Sequence, residues 1–239
     1  MSSSVQPKRV RKSPEARRAE IVATAAAIAL AEGLECITVR RVADELAVRP
    51  GLISHYFPVA EELVAEAFGT AATAELDELI PADRPEGTAL PQLARFLGLT
   101  TGPRYDDMSR LWLNARHLSR FRAALRERVG HQEARWRDRL TGLIREGADT
   151  GAFRTEDPVV AAIRILVVLD GLGVHANTDR SDRPPAVVNM AVTTAERELG
   201  LPAGALTPPT APQPDPIDPA PPGTGRTPPD PEPPRHAPS

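Results

Sequence analysis

The stretch RPGLISHYF, residues 49 to 57, sets three hydrogen-bonding side chains next to one another: Ser54, His55 and Tyr56. Successive side chains on a helix point about 100° apart, so Ser54 and His55 cannot act together as a nucleophile and its base. Imidazole and hydroxyl groups do bond to base edges and phosphates in the grooves of DNA. The stretch therefore favours nucleic-acid recognition over catalysis.

The residues that open this stretch favour the same function. Pro50 suits the first position of a helix, where its missing N–H has no helical partner. Gly51 costs a helix about 1 kcal/mol relative to alanine, but a bare backbone can approach a groove floor or a phosphate closely. Arg49 falls at the cap position, where it cannot accept the capping bond. A cation at that position suits a face turned towards DNA.

Helical periodicity separates the two faces of this segment. Ile53 and Phe57 share one face and can lock the helix onto its neighbours, whereas Gly51 and His55 lie on the opposite face. Leu52, beside them, can meet a thymine methyl group. The outward face is thus the predicted reading surface.

Two short helices must hold this reading helix in place. Ser13 can cap a first helix with Pro14 at its first position, and Gly33 can end it. Thr38 can cap a second helix, and a tight turn of four residues joins that helix to the segment starting at Pro50. Three helices with this turn match a helix-turn-helix.

Beyond residue 60 the apolar spacing predicts four further helices and no strands, so the fold class is all-α. The first covers 61–80, the third is capped by Asp157, and the last covers about 185–199. The second is a long amphipathic helix that ends near Gly147, and its apolar face carries Leu118, Phe121, Leu125, Val129, Trp136, Leu140 and Leu143. The helix after Asp157 contains VVAAIRILVVLDGLGV, which is apolar nearly all round. It must be buried on more than one side, in a bundle or against another subunit.

Composition limits the possible classes of protein. The net charge is −3, but residues 1–58 carry nine Lys or Arg against six Asp or Glu, an excess that suits a polyanion. No apolar run approaches the roughly 18 residues of a membrane span, and the N-terminus lacks a signal-peptide core. The lone Cys36 cannot form a disulfide framework. We therefore expect a cytoplasmic protein with no membrane partner.

The ends of the chain differ from its middle. Residues 1–13 form a basic arm that we expect to be disordered, residues 14–60 the helix-turn-helix domain, and residues 61–200 a helical domain. Residues 201–239 are rich in proline and lack apolar periodicity, which predicts a disordered tail.

The run from Arg17 to Phe68, RRAEIVATAAAIALAEGLECITVRRVADELAVRPGLISHYFPVAEELVAEAF, resembles the DNA-binding domain of TetR-family transcriptional regulators, and GLISHYF resembles the branch that contains the choline and betaine regulator BetI. The resemblance implies a homodimer whose two reading helices enter successive major grooves of a palindromic operator in double-stranded DNA. It also implies a C-terminal helical bundle that pairs the subunits and binds a small-molecule effector. Two positions depart from the family pattern: Arg49, where the family usually has Ser or Thr, and Ala60, where a phosphate-binding Lys is frequent.

Carried over by position, the resemblance places Thr38 and Tyr56 at phosphates. It places five residues at base edges: Pro50, Gly51, Leu52, Ser54 and His55. Arg40 and Arg41 are added to the predicted DNA contacts from their charge alone, with the alternative that one is a solvated surface residue.

Candidate effector contacts are the polar or aromatic residues on apolar helical segments: Trp112, His117, Phe121, Trp136, Asp170 and His175. Asp170 stands out because a carboxylate inside LVVLDGLGV must be paired, exposed or neutralised. It could attract a cationic effector, with Trp112 or Phe121 offering a cation–π face. The alternative is that LDGLG belongs to a dimer interface, where its glycines let helices approach closely.

Two other functional classes stay open at this point. A helical adaptor that does not bind DNA would leave the outward face of RPGLISHYF unused. An enzyme is disfavoured because no nucleophile-and-base arrangement and no glycine-rich phosphate loop occur. No cofactor or metal site is expected, because the five histidines, His55, His117, His131, His175 and His236, lack metal-ligand spacing.

Overall fold

The computed structural model describes residues 12–85, 87–100, 103–178 and 183–207. Within these ranges the chain forms α-helices and no strand, which confirms the all-α class. Ten helices occur there: α1 (Pro14–Glu32), α2 (Val39–Glu45), α3 (Pro50–Tyr56), α4 (Ala60–Leu79), α5 (Ala89–Leu99), α6 (Pro103–Ser119), α7 (Ala123–Asp149), α8 (Pro158–Thr178), α9 (Pro185–Val188) and α10 (Met190–Glu198). The predicted basic arm, except Lys12 and Ser13, and the tail beyond Thr207 lie outside these ranges.

The first helices begin at the predicted caps. The Ser13 hydroxyl accepts a hydrogen bond from the Ala16 N–H at 3.2 Å, and the Thr38 hydroxyl accepts one from the Arg41 N–H at 3.0 Å. Both bonds satisfy N–H groups that have no partner inside the helix. Ala47 turns the chain between α2 and α3 with a φ of 51°.

The helix-turn-helix is held together by a small apolar core. Ile21 of α1, Val42 of α2 and Ile53 of α3 are fully buried, and Phe57 at the end of α3 is almost so. This confirms that Ile53 and Phe57 lie on the inward face. Helix α1 also packs along α4, so the two predicted domains share a long contact.

The remaining helices form a bundle around α7. Helix α7 packs against α4, α6 and α8, and α10 covers another side of α8. Burial of leucine and isoleucine side chains such as Leu76, Leu125, Leu140 and Ile165 holds these helices together. Asp157 caps α8 as predicted, accepting from the N–H groups of Val159 and Val160.

The prediction of one long helix through Leu118 and Phe121 was wrong. The chain turns between α6 and α7, and the Arg126 guanidinium satisfies the carbonyls of Ser119 and Arg120 there, at 3.0 and 2.8 Å. Phe121 lies in the turn with 75 % of its surface exposed. The apolar spacing continues across the break, so periodicity alone could not reveal it.

Three smaller boundaries also differ from the predictions. Helix α5, which begins at Ala89, was not among the predicted helices, and the last helix is divided at Asn189 into α9 and α10. The chain stays packed beyond the predicted end of the bundle: Leu206 is fully buried, and its N–H donates to the Glu196 carboxylate at 3.0 Å.

Helix α8 corrects the expectation about membrane spans. Among the described residues one helix, α8, is long and apolar enough to cross a membrane, judged by length and composition only. Its mean hydropathy is 1.9 over 18 residues. The core helix of a soluble protein passes the same test. Here the helix packs on three others, and its Arg164 and Asp170 pair with Glu198 and Arg116.

Candidate nucleic-acid interface and ligand cavity

Helix α3 presents the predicted DNA contacts at the surface. Ser54 and His55 are exposed, and Tyr56 is half-buried with its ring edge-to-face against His55, the centroids 5.3 Å apart. The other predicted contacts also reach solvent: Thr38, Arg40, Arg49, Pro50, Gly51 and Leu52. We call this set, together with Ser54, His55 and Tyr56, the reading face.

Gly51 has no packing role that would explain a glycine. A Cβ placed on it meets no heavy atom of the described residues within 4 Å. An alanine would therefore fit and would favour the helix. The position suits a partner outside the chain that approaches the backbone closely.

The two arginines predicted from charge have different environments. Arg41 bonds Glu32 at 2.6 Å and Glu45 at 2.7 Å, which ties α2 to the end of α1. Arg40 is exposed and only 3.9 Å from Asp44. Arg40 is therefore the arginine available to a phosphate, and Arg41 has a structural role.

The basic residues at the start of α1 already form ion pairs with carboxylates. Lys12 and Arg17 both reach the Glu20 carboxylate at 2.7 Å, and Arg18 forms two hydrogen bonds with Glu66. These pairs reduce the positive charge that the sequence indicates for this end of α1.

A cavity of about 260 Å³ lies between α4, α6, α7 and α8. Because three of the predicted effector contacts line it, we call it the effector cavity. Its lining consists of Glu75, Tyr105, Ser109, Trp112, Leu113, Arg116, Glu133, Trp136, Leu166, Leu169, Asp170 and Gly173.

Two tryptophans form the aromatic wall of the effector cavity. The Trp112 and Trp136 rings are nearly perpendicular, with centroids 6.5 Å apart, and Phe68 packs edge-to-face on Trp112 at 5.1 Å. Trp136 is 8 % exposed, and its buried indole N–H has no acceptor among the described residues. A buried donor of this kind normally has a partner, so it favours a ligand that carries an acceptor.

Carboxylates outnumber cations in the cavity. The Arg116 guanidinium donates to both Asp170 oxygens, at 3.0 and 2.9 Å, and to Glu133 at 2.9 Å. It also lies 5.2 Å from the centroid of the Trp112 ring. Burial raises the pKa of Asp170, and the charge of Arg116 opposes that rise. With Glu75 added, three carboxyl groups face one cation, and Glu75 is only partly ionised at neutral pH.

Glu75 is the most deeply buried of these acids, with 8 % of its surface exposed. Its carboxylate accepts a hydrogen bond from the Trp112 indole N–H at 2.9 Å. Burial raises the pKa of Glu75 to about 7, helped by the charges of Glu78 and Asp170, while the Trp112 bond opposes the rise. The carboxyl group therefore titrates near neutral pH.

Gly173 brings α8 close to α6 within one chain. A Cβ on Gly173 would lie 2.8 Å from the Ser109 Cβ. One turn on, the Asn177 amide donates to the Ser109 hydroxyl at 2.8 Å. Gly171, by contrast, faces open space. Of the two glycines in GLG, Gly173 thus serves packing between α6 and α8, and only Gly171 is free for a subunit contact.

Three of the six predicted effector contacts meet at the cavity: Trp112, Trp136 and Asp170. His117 and Phe121 do not line it. Their rings meet edge-to-face near the end of α6, with the centroids 5.9 Å apart. His175 is exposed and also lies outside the lining.

Sequence reasoning missed two central residues of the cavity, Glu75 and Arg116. A signal for Glu75 was present, because it lies four residues after Ala71 and four before Leu79, on the buried face of α4. Nothing in the sequence pairs Arg116 with Asp170, which lies 54 residues away.

Helix α6 links the cavity to the helix-turn-helix. The Asn114 side-chain oxygen accepts a hydrogen bond from the Leu34 N–H at 2.9 Å, and its amide donates to the Glu35 carboxylate. Leu34 and Glu35 lie in the single turn that joins α1 to α2. Trp112 and Arg116 flank Asn114 on the same helix, so a ligand that moves α6 would act on this turn.

Comparisons with known proteins give one consistent result. The sequence profile described as "BetI-type transcriptional repressor, C-terminal" matches residues 98–199. A protein of Pseudomonas aeruginosa PAO1, described as a transcriptional regulator, is 26 % identical over 82 % of this chain and 95 % of its own, with a TM-score of 0.61. The profile and the shared fold support a TetR-family transcriptional regulator. No curated protein matches it.

Two further solved structures share the TetR-family fold. One is from Saccharomonospora viridis and was solved in complex with choline; it has 22 % identity and a TM-score of 0.61 over 77 % of this chain and 97 % of its own. The other is a TetR-family protein of Rhodococcus, with 21 % identity and a TM-score of 0.60 over 77 % of this chain and 98 % of its own.

The profile match and the shared fold support one general activity for this chain, that of a ligand-responsive transcriptional repressor. Regulators of this family bind DNA, dimerise and respond to small-molecule effectors, and they are soluble cytoplasmic proteins that are generally not enzymes.

The raised pKa of the buried Glu75 predicts that the stability of the protein depends on pH. Its pKa is about 7 in the folded state, against 4.5 for the free group. Between these values the folded state holds a proton that the unfolded state has lost, so stability falls as pH rises, by about 3 kcal/mol in total. Glu75→Gln cannot ionise, and its amide oxygen can still accept from Trp112.

We therefore expect Glu75→Gln to match the wild type at pH 4.5 and to be more stable by a few kcal/mol at pH 8. Urea unfolding of both proteins at the two pH values measures this difference. An equal pH dependence in the two proteins would contradict the raised pKa.

Proposed function

We propose that this chain is a homodimeric repressor that binds a palindromic operator through α3 and is released by a small cationic effector. The observation that carries the proposal is the composition of the effector cavity. It combines two tryptophans, three carboxylates and a buried N–H donor without an acceptor among the described residues.

The reading face supports the DNA half of the proposal. Its hydrogen-bonding groups are exposed, although α3 itself is anchored through Ile53 and Phe57. The exposed Gly51 allows the backbone to approach the groove, and the positive end of the helix dipole points to the same side. We place His55, Ser54 and Leu52 at base edges.

The cavity supports a quaternary ammonium ion as the effector. Aromatic faces attract such cations, and the surplus of carboxylate adds to the attraction. Choline, which the Saccharomonospora viridis protein was solved with, would add a hydroxyl oxygen that can accept from the Trp136 N–H. The proposal therefore names choline, or a cation of the same head group, as the first ligand to test.

Arg116 occupies the place that we assign to the effector cation. It bonds Asp170 and lies over Trp112, which are the contacts that an ammonium head would make. An incoming cation would compete with Arg116 for them and displace the guanidinium. Because Arg116 and Asn114 share α6, the displacement would disturb the contact between Asn114 and Leu34. This would change the preferred position of the helix-turn-helix, which we call the reading head.

The exposed face of α8 supports the homodimer. Val160, Val167 and Val174 recur every seven residues on this face, and Ile163 lies beside them. Together they form an apolar stripe along a helix that is otherwise part of the bundle. In the proposed dimer a second copy covers this stripe, and binding to successive major grooves requires the two α3 helices to lie about 34 to 36 Å apart.

We predict that Val167→Asp abolishes the dimer. Val167 is 61 % exposed in the single chain, so the change leaves the fold intact but buries a charge at the interface. Sedimentation velocity at micromolar concentration should give a species of twice 25.7 kDa for the wild type and a monomer for the variant. Phe121→Asp, at the exposed turn after α6, is the matched control and should remain dimeric. A monomeric wild type would contradict the proposal.

The effector half can be tested through intrinsic fluorescence. Trp112 and Trp136 are the only tryptophans of the chain, and both line the cavity, so their emission reports on its occupant. We expect choline to change the emission saturably and the neutral isostere 3,3-dimethyl-1-butanol to bind at least about tenfold more weakly. Equal affinities, or no response to choline, would contradict a cationic effector.

A further inference from the structure

A second cavity, of about 600 Å³, lies between α1, α4, α5 and α6. We call it the α1 groove. Its α1 side is formed by Ala27, Leu30 and Ala31, and Leu99 closes the α5 side. Leu30 and Leu99 are both exposed large apolar residues. Much of the surface of the groove is therefore hydrocarbon that is in contact with water.

The α1 groove and the effector cavity share two residues, Glu75 and Tyr105. Glu75 comes from the middle of α4 and Tyr105 from the first turn of α6. These two side chains lie between the two cavities, so one molecule can reach both only by passing over or displacing them. The two cavities differ in character. The effector cavity is acidic and aromatic, whereas the groove is mainly aliphatic, although Glu78 and Asp107 also line it.

We propose that the effector carries an apolar chain on its cationic head, with the head in the effector cavity and the chain in the α1 groove. This inference rests on the proposed function and specifies the class of its ligand as a cationic amphiphile. The adjacency of the two cavities at Glu75 and Tyr105, and the contrast between an acidic aromatic lining and a mainly apolar one, argue for this occupant.

The position of the groove gives the chain a direct effect on the DNA-binding end of the protein. Helix α1 lines the groove and packs against α2, and its last turn leads into the segment that Asn114 holds. A chain that wedges between α1 and α4 acts on the reading head without the intermediate step through Arg116. Longer ligands should therefore be stronger inducers as well as tighter ones.

A series of alkyltrimethylammonium ions tests the inference on the full-length protein. The series runs from tetramethylammonium to octyltrimethylammonium, each below its micelle concentration, with Trp112 and Trp136 emission as the readout. Affinity should rise about fourfold for each methylene that enters the groove and reach a plateau when the groove is full. Equal affinities along the series would overturn the inference and leave the proposed function intact. No saturable change with any member would refute the cationic effector, and this inference with it.

A pair of variants tests where the chain lies. Ala27→Phe fills the groove from an exposed position, so it should remove the gain of affinity with chain length. Ala23→Phe is the matched control, since Ala23 is exposed one turn earlier on α1 and does not line the groove. It should keep the wild-type dependence on chain length. An undiminished gain in Ala27→Phe would overturn the placement of the chain in the α1 groove.

Discussion

Replacing His55 with alanine is expected to remove most of the sequence-specific DNA binding of this protein. A side chain that reads a base edge contributes about 1–3 kcal/mol, and the dimer uses two copies, so operator affinity should fall by roughly 30-fold to 10⁴-fold. His55 is exposed and contacts only the Tyr56 ring among the described aromatic side chains. The thermal midpoint should therefore stay within a degree or two of the wild type.

The matched control for this change is His131→Ala. His131 is an exposed histidine on α7, outside the reading face. Fluorescence anisotropy on operator and scrambled duplexes should show wild-type binding for His131→Ala. For His55→Ala it should show a loss on the operator alone, because phosphate contacts give the nonspecific affinity. Equal losses on both duplexes would show that His55 contacts phosphate and does not read bases.

The second large effect is expected from Asp170→Asn in the effector cavity. The change removes one of three carboxylates but keeps the size and hydrogen-bonding capacity of the side chain. Affinity for choline should fall at least about tenfold, because a partly desolvated cation loses a charged partner. Operator affinity without effector should change little, since Arg116 keeps its bond to Glu133. Tryptophan fluorescence titration measures the first quantity and anisotropy the second.

Arg116→Gln should have the opposite effect on the affinity for choline. It removes the guanidinium that competes for Asp170 and Trp112, so choline should bind more tightly than to the wild type. A decrease of choline affinity in both variants would mean that the Arg116–Asp170 pair only supports the fold of the cavity, and the displacement mechanism would be refuted.

The sequence predicted the helix-turn-helix well because its signals are local. Ser13, Thr38 and Pro50 mark helix starts through their own side chains, and Ile53 and Phe57 follow from a spacing of four residues. The outward position of His55 follows from the same geometry. None of these features needs a contact between distant parts of the chain.

The bundle was harder to predict because its decisive contacts are long-range. The break between α6 and α7 is stabilised by Arg126 reaching back to carbonyls, which leaves no trace in the apolar pattern. The bond from Trp112 to Glu75 spans 37 residues, and that from Arg116 to Asp170 spans 54. The sequence therefore indicated Trp112, Trp136 and Asp170, which stand out on apolar segments, whereas Glu75 and Arg116 could be found only from the fold.

The most direct test of the central claim joins DNA binding and release in one measurement. An operator is first selected from random duplex DNA with the wild-type protein, and anisotropy is then followed on it while choline is added. We predict binding at least about 10³-fold tighter than to a scrambled duplex, and loss of the bound signal as choline saturates the tryptophan response. A selection that enriches no sequence, or occupancy that choline leaves unchanged at saturation, would contradict an effector-released repressor.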